Sequence, residues 1–480
     1  MHGEDFLPGT TRLVEDIEQV TNPNLLKHGN IVLEPQPTSS PHDPLNWSRT
    51  RKYWHVFLVC FITGLTAATA NDAGSAQDGM NAEYGITYEA MNTGAGVLFV
   101  GIGYWTLLIS PAAWLYGRRV TYIICLTLGV IGAIWLARVQ STRDSIWNQL
   151  FVGASEACAE ANVQLSLSDL FFQHQRGTVL GIYVLATSIG TYLGPIIAGY
   201  IAGGPLGWRW IVEGSPLRTS NEKEPVLATT SSDTPPIPPS SIAKKSFRER
   251  IQLITPASNL RGTGFKQYFS RLFHTLRIFT FPAVWYSGLQ WGAQDAWLTF
   301  YLTLEEDNWT NDPWNYTTIG SGLMNVPCLI GAIIGCFWGG YLSDVFVLWY
   351  SKKYRHGVLE AEDRLWMMYP CAIFSPLGMF LFGLGTAYEW SWPVPYVGLG
   401  FIGFGWGCAG DLSMSYLMDA YPEMVLEGMV GLLVGDWSQE YVHCDWSPGF
   451  RIRYVYMADD GIWKKLQKMD QGKIFGFCEE

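Results

Sequence analysis

Charge is scarce in this 480-residue chain: Asp, Glu, Lys and Arg make up only 15% of the residues, against about 25% in an average soluble protein. Metal-binding and hydrolytic motifs are missing as well, since the sequence contains no HExxH, no GxSxG and no cluster of histidines. Its nine cysteines form no CxxC pair, which argues against a disulfide scaffold or a zinc site. We therefore expect no enzymatic activity, no metal and no cofactor.

Apolar residues, by contrast, make up 48% of the chain and gather in long runs. Residues 53–70 and 92–116 contain no Lys, Arg, Asp or Glu, and a helix needs roughly 20 mostly apolar residues to cross a bilayer. These runs predict an all-α membrane protein with about nine spans. We place them near residues 53–70, 90–113, 120–137, 146–167, 178–202, 278–302, 318–343, 365–387 and 394–418.

The distribution of basic residues predicts the orientation. Residues 244–277 contain eight Lys or Arg and one acid, whereas all charged residues in segments 71–89 and 303–317 are Asp or Glu. Because cytoplasmic loops are enriched in Lys and Arg, we expect the N-terminus to be cytoplasmic. We also expect the protein to lie in the plasma membrane. Two glycosylation sequons, at Asn308 and Asn315, fall in a segment that charge assigns to the outside.

Composition divides the chain into five segments. They are a cytoplasmic N-terminal tail at 1–52, a membrane half at 53–212, a Pro/Ser-rich then basic linker at 213–276, a second membrane half at 277–435 and a polar tail at 436–480. Five spans before residue 203 would leave the chain outside, yet the basic linker is expected inside. One crossing is therefore missing, and the apolar stretch 208–212 is where it would begin.

Glycine and charge patterns indicate a family. Between the second and third spans, Gly117, Arg118 and Arg119 are similar to the end of the cytoplasmic loop motif GxLxDRxGRR of the major facilitator superfamily, while Gly340 and Asp344 fit its beginning, GxLxD. Segment 43–52 resembles the stretch before the first span of its fungal drug:proton antiporters. The fifth span matches the spacing of the antiporter motif at Gly181, Gly190, Gly194, Pro195 and Gly199.

This resemblance implies a helical bundle of two pseudo-symmetric halves, with about nine spans left of an expected twelve. The sixth, eleventh and twelfth spans are the ones that the pattern lacks. It also implies alternating access around a central site, with a small-molecule substrate and protons as ligands, the bilayer as surroundings, no nucleic acid, and a monomer. A match to the dinucleotide fingerprint at Gly405, Gly407 and Gly410 lies inside a span, where that motif has no meaning.

Acidic residues within the spans are the candidates for substrate binding or proton coupling, because a carboxylate in a membrane is costly and generally faces the bundle interior. They are Glu156, Glu160, Asp295 and Asp411. Trp291 is the fifth candidate, because an aromatic ring near these acids could line a cavity for an apolar or cationic substrate. The alternative for each acid is a hydrogen bond to a neighbouring helix without any role in transport. For the whole chain, the alternative to a proton-coupled antiporter is a non-transporting membrane protein, either a sensor or the inert product of a truncated or mis-spliced gene.

Overall fold

The structure is a computed structural model that describes residues 10–12, 26–28, 31–40, 43–205, 207–209, 211, 264–309, 312, 314–390, 392–421 and 428. In this part of the chain almost all regular structure is helical. Four short strands accompany the helices, β1 Thr10–Arg12, β2 Lys27–His28, β3 Ile31–Val32 and β4 Val358–Glu360.

The first group of helices comprises α1 Arg49–Asn71, α2 Gln77–Tyr84, α3 Tyr88–Tyr116, α4 Arg118–Ala137, α5 Thr142–Cys158, α6 Gln164–Leu170 and α7 Arg176–Ala202. A π-helical segment, Ala159–Val163, joins α5 to α6 in one continuous rod. Side-chain caps start several of these helices, as at Thr87, whose hydroxyl accepts from Ala90 N. Within the group α3 and α4 pack against α5, and α1 packs against α7.

The second group comprises α8 Phe265–Leu276, α9 Pro282–Trp309, α10 Thr318–Leu323, α11 Asn325–Phe337, α12 Ser343–Tyr354, α13 Tyr369–Ala387 and α14 Val394–Ala420. A π-helical segment, Trp338–Leu342, links α11 to α12, and a 3-10 helix, Ala361–Met368, precedes α13. Helix α14 is the centre of this group, since α9, α11 and α13 all pack on it. Helix α7 joins the two groups by packing against α11 and α14.

Each predicted span coincides with a helix, but some boundaries were wrong. Helix α9 starts after a 3-10 turn at Arg277–Thr280 and continues to Trp309, so Asn308 lies in a helix rather than in the predicted loop. In the described part of the chain six helices are long and apolar enough to span a membrane. They are Arg49–Tyr84, Tyr88–Tyr116, Arg118–Ala137, Gln173–Ala202, Ile319–Tyr354 and Ala361–Ala387.

The three other long helices, the α5–α6 rod, α9 and α14, are outside that set. They carry the intramembrane acids, and α14 is buried almost throughout from Gly398 to Ala420. A helix in the interior of a bundle needs fewer lipid-facing residues, so its hydropathy is a weaker signal. Segments 213–263 and 429–480, which contain most of the predicted linker and the whole predicted polar tail, lie outside the described residues. The predicted lack of the sixth, eleventh and twelfth spans therefore falls on residues that the structure does not describe.

The N-terminal tail is not separate from the bundle. Strand β1 pairs antiparallel with β4, which follows α12 in the second group. The Thr11 hydroxyl donates to Gln173 Oε1 at 3.0 Å, and Gln173 N donates to the Glu34 carbonyl at 2.7 Å. The tail therefore contacts both groups at one end of the bundle, which we call the closed face; it also includes the turn at Gly117 and the end of α14.

The antiporter-like glycines make close contacts between helices. A Cβ added at Gly190 would lie 2.2 Å from the Gly64 carbonyl oxygen and 2.8 Å from Ala67 Cβ. One added at Gly194 would lie 3.0 Å from Ala68 Cα. Small residues are needed here because they let α1 and α7 approach backbone to backbone.

We expect Gly190→Ala to lower the free energy of unfolding by about 1–3 kcal/mol, since the added methyl overpacks the contact between α1 and α7. The measurement is thermal unfolding of the purified protein in detergent. Gly96→Ala in α3 is the matched control, because a Cβ there meets nothing within 4 Å. Equal stability of the two variants would contradict the proposed role of the glycine spacing.

Candidate functional site

Two buried carboxylates lie one turn apart on the α5–α6 rod. Glu156 is near the end of α5, and Glu160 lies in the π-helical segment that follows. Both side chains are buried, and residues at i and i+4 share one face of a helix. π-helical segments occur frequently at functional sites, and the role of Glu160 stays a prediction.

A third carboxylate approaches from the second group. Asp295 on α9 accepts a hydrogen bond from Trp406 Nε1 of α14 at 2.7 Å. The rings of Trp291 and Trp406 lie 5.1 Å apart with an angle of 47° between their planes. Tyr192 on α7 contacts Trp406 edge to face, with ring centroids 6.1 Å apart. Trp406 therefore links Asp295 of the second group to Tyr192 of the first.

These side chains line one central cavity of about 70 Å³. Its walls include Glu156, Glu160, Asp295, Trp291 and Trp406. Four of the five residues that the sequence proposed for binding and coupling, together with Trp406, thus meet at one place between the two groups of helices.

The central cavity continues outward. A second cavity of about 140 Å³ shares residues with the first and extends past the start of α3 to α2, where Asp78 lines it. The shared residues are Ala70, Asn71, Leu98, Phe99 and Leu298. We call the end of the bundle with α2 the open face; it is opposite to the closed face, because α1 starts at one and ends at the other.

Hydrogen bonding within the cavity is incomplete. Gln164 Nε2 donates to Glu160 Oε2 at 3.2 Å, whereas Glu156 Oε2 is buried and accepts no hydrogen bond from the described residues. A buried acceptor without a donor costs about 1–3 kcal/mol. The cavity therefore favours a proton or a hydrogen-bond donor near Glu156.

Asp411, the fifth proposed residue, does not line the cavity. It lies deeper in the interface, where a Cβ added at Gly181 of α7 or at Gly340 would come within 2.9 Å of Asp411 Oδ2. Ser415 Oγ donates to Asp411 Oδ1 at 3.1 Å, and Oδ2 has no hydrogen-bond partner among the described residues. The glycines of two sequence motifs thus make room for this one carboxylate.

A buried ionic cluster joins the two groups at the closed face. Asp344 accepts hydrogen bonds from Gly177 N at 3.1 Å, Thr178 N at 2.6 Å and the Thr178 hydroxyl at 2.7 Å. On its other side Arg364 Nη1 donates to Asp344 Oδ1 at 2.9 Å. Because the donors Gly177 and Thr178 lie in the first turn of α7, the carboxylate also interacts favourably with the helix dipole.

A second carboxylate completes this cluster. Asp419 at the end of α14 lies 3.1 Å from Arg364 and 3.4 Å from Arg176 of α7. Arg176 also donates to the Met418 carbonyl at 3.1 Å. Burial raises the pKa of the Glu34 carboxyl in the N-terminal tail, and the nearby Arg176 guanidinium opposes that rise. We call Arg176, Asp344, Arg364 and Asp419 the latch.

Sequence reasoning found part of the latch. It proposed Asp344 from the loop motif but did not propose Arg364, which is buried just before α13. The sequence does contain a signal for Arg364, since a single arginine lies directly beside the apolar stretch 365–387. An arginine that becomes buried there needs a carboxylate partner. Only the folded structure brings the two residues together.

The turn between α3 and α4, which carries the other part of the loop motif, is more exposed. Gly117 has a φ of 91°, a conformation that favours glycine, and it separates α3 from α4. Arg118 forms an ion pair with Asp169 in which the two side chains are 33% and 44% exposed. Such a pair contributes little stability in water.

Comparison with known proteins identifies the family. Residues 56–434 match the Major Facilitator Superfamily. The chain belongs to the major facilitator superfamily. It is therefore an integral membrane protein of a transporter family, and the resemblance seen in its sequence motifs is confirmed at that level.

Two curated relatives are similar over most of their length. An uncharacterized MFS-type transporter of Schizosaccharomyces pombe is 50% identical, with 89% of this chain and 84% of the relative covered. Protein HOL1 of Saccharomyces cerevisiae is 46% identical, with 89% and 86% covered. Among solved structures, the superfamily's proton:xylose symporter XylE matches with a TM-score of 0.53 and 13% identity over 82% of this chain and 88% of that chain, which supports the fold alone.

We expect Arg364→Gln to lower the free energy of unfolding of this superfamily member by about 3–5 kcal/mol, because it removes the cation that pairs with the buried Asp344 carboxylate and leaves Asp419 with Arg176 alone. Arg118→Gln, in the exposed ion pair, is the control and should cost less than about 1 kcal/mol. Thermal unfolding in detergent measures both changes. Similar small losses would mean that the latch is not a stabilising contact.

Proposed function

We propose that this protein is a secondary active transporter that exchanges a small organic molecule for protons by alternating access. The observation that carries the proposal is the central cavity, which places Glu156, Glu160 and Asp295 between two groups of helices. A carboxylate that meets water from alternate sides of a membrane can take up and release a proton. The specific branch, a relative of drug:proton antiporters, is part of this proposal.

The chemistry of the cavity favours a cationic or aromatic substrate. Three carboxyl groups provide negative charge when they are deprotonated, and the rings of Trp291 and Trp406 provide faces for cation–π contact or stacking. The unsatisfied Glu156 Oε2 supplies an acceptor for a donor on the substrate or for a proton. A substrate and protons competing for these same carboxylates is the simplest basis for antiport.

The contacts at the closed face support the proposal that the structure represents an outward-facing state. The latch joins the two groups on the side with the Gly117 turn, while the cavity extends to α2 on the other side. We infer that the closed face is cytoplasmic, in agreement with the basic residues near it. Alternating access then requires the latch to open while the walls around α2 close.

We also propose that the bundle is built from two pseudo-symmetric halves of a twelve-span transporter, with about nine spans left and the sixth, eleventh and twelfth lacking. The alignment with the Schizosaccharomyces pombe relative extends over 488 positions but covers 89% of this 480-residue chain, which is about 427 residues. At about 60 of these positions the relative therefore carries residues that have no counterpart here. This observation also favours the second candidate, a chain that folds but does not transport. Genomic sequence downstream of the codon for Gly214 decides between them: an apolar reading frame long enough for one span would support the complete transporter.

For function, we expect Glu160→Gln and Asp295→Asn to abolish the stimulation of uptake by a proton gradient, because each removes a titratable group from the cavity. Asp411→Asn tests the separate carboxylate near the latch, which we also expect to be needed for coupling. The measurement is uptake of candidate organic cations into vesicles with and without a pH gradient. Glu89→Gln, an exposed acid in the first turn of α3, is the control. Unchanged coupling in all variants would remove the site assignment.

For topology, we expect Asn315 to carry a glycan when the protein is expressed in a eukaryotic cell, since it is exposed in the turn between α9 and α10 at the open face. Asn46, in the sequon before α1 at the closed face, is the internal control and should remain unmodified. Glycosidase-sensitive mobility of Asn315→Gln and Asn46→Gln variants reports both sites. If only the Asn46→Gln variant lost the glycan, the proposed orientation would be wrong. Asn308→Gln tests the other predicted sequon.

A further inference from the structure

We propose that helix α8 and the start of the following turn form a binding surface for anionic phospholipid headgroups at the closed face. The proposal does not depend on transport. It rests on three properties of α8: an uncovered apolar stripe, a basic edge without acids, and a position beside α3 at the level of the membrane surface.

Helix α8 has an apolar stripe that no described residue covers. The side chain of Phe265 is 82% exposed, and Phe269, Phe273 and Leu276 are also exposed. Positions 265, 269, 273 and 276 fall on one side of a helix. Exposed large apolar side chains in such a row mark a contact with a protein or a membrane.

The other side of α8 packs against α3. The Tyr268 hydroxyl donates to the Leu108 carbonyl of α3 at 2.7 Å. The Arg271 guanidinium lies 4.8 Å from the centre of the Trp114 ring, a cation–π contact near the end of α3. These contacts hold α8 against α3 and fix the direction in which the apolar stripe faces.

The position of α8 relative to α3 indicates its depth. Leu108 precedes the Gly117 turn by nine residues, which is about 13 Å along a helix. Leu108 and Tyr104, one turn further into α3, are both exposed and apolar, as expected for side chains that face lipid. Helix α8 therefore lies where the hydrocarbon region meets the headgroups.

Charge identifies the kind of lipid. Lys266 and Arg277 are exposed next to the apolar stripe, and residues 264–281 contain no Asp or Glu. In sequence the basic character extends back to Lys244, with eight Lys or Arg and one acid between residues 244 and 277. A helix with an apolar face and a basic edge binds anionic membrane surfaces, and each Lys or Arg near the surface contributes about 1 kcal/mol.

The test is hydrogen–deuterium exchange of the full-length protein in nanodiscs, read by mass spectrometry over residues 265–276. One set contains phosphatidylcholine alone, and the other contains phosphatidylcholine and phosphatidylserine at about 7 to 3. We expect phosphatidylserine to slow exchange in α8 by about fivefold or more, which is the effect of one basic residue at the surface. Inorganic phosphate added to the phosphatidylcholine nanodiscs should have no effect; protection by phosphate would show binding of a free anion and overturn the proposal.

Three paired variants complete the experiment. Lys266→Gln with Arg277→Gln should lose the response to phosphatidylserine, and Phe265→Ser with Phe269→Ser should exchange faster in both lipids. Arg138→Gln with Arg143→Gln removes two exposed basic residues at the open face and should keep the response. A wild type that does not respond, or a Lys266 and Arg277 variant that still does, would refute the proposal. So would a Phe265 and Phe269 variant that speeds exchange in residues 213–263, because that segment would then cover the stripe.

Discussion

The contact on which the arrangement of the helices depends is the one between the Asp344 carboxylate and the first turn of α7. One carboxylate satisfies two backbone donors and a hydroxyl on the first group and accepts from Arg364 on the second. In a medium without water each of these groups would otherwise be unsatisfied. The position of α7 between the two groups, and with it the shape of the central cavity, follows from this contact.

The two sets of buried acids differ in how far they are paired. Asp344 and Asp419 are each bonded to arginine and lie at the closed face. In the cavity, Glu156 has an oxygen without a hydrogen-bond partner among the described residues. Paired carboxylates hold a conformation, whereas unpaired ones have capacity left for a ligand or a proton. This difference supports the proposal that the latch holds a conformation and that the cavity binds a ligand.

Sequence alone predicted much of this architecture. The long apolar runs located the helices, since the bilayer demands their length, and the glycine spacing of the fifth span correctly marked a close helix contact at Gly190. Glu156, Glu160 and Asp295 were proposed because acids are rare in spans. The approach of Asp295 to the α5–α6 rod could not be predicted, because it depends on how two groups of helices dock. The same holds for Arg364, whose partners are 20 and 55 residues away along the chain.

In the proposed transport cycle the latch has to open, and its composition suits that step. Bringing charged groups out of water costs several kcal/mol per ion, and their pairing in the interior roughly recovers that cost. When the two groups of helices separate, water enters and solvates the four charged side chains of the latch again. This hydration replaces the favourable free energy that the ion pairs supplied in the closed state. An apolar seal of the same size would expose its surface to water and recover nothing. In the proposed cycle, a polar latch at the closed face therefore allows a tight closed state without a prohibitive barrier to opening.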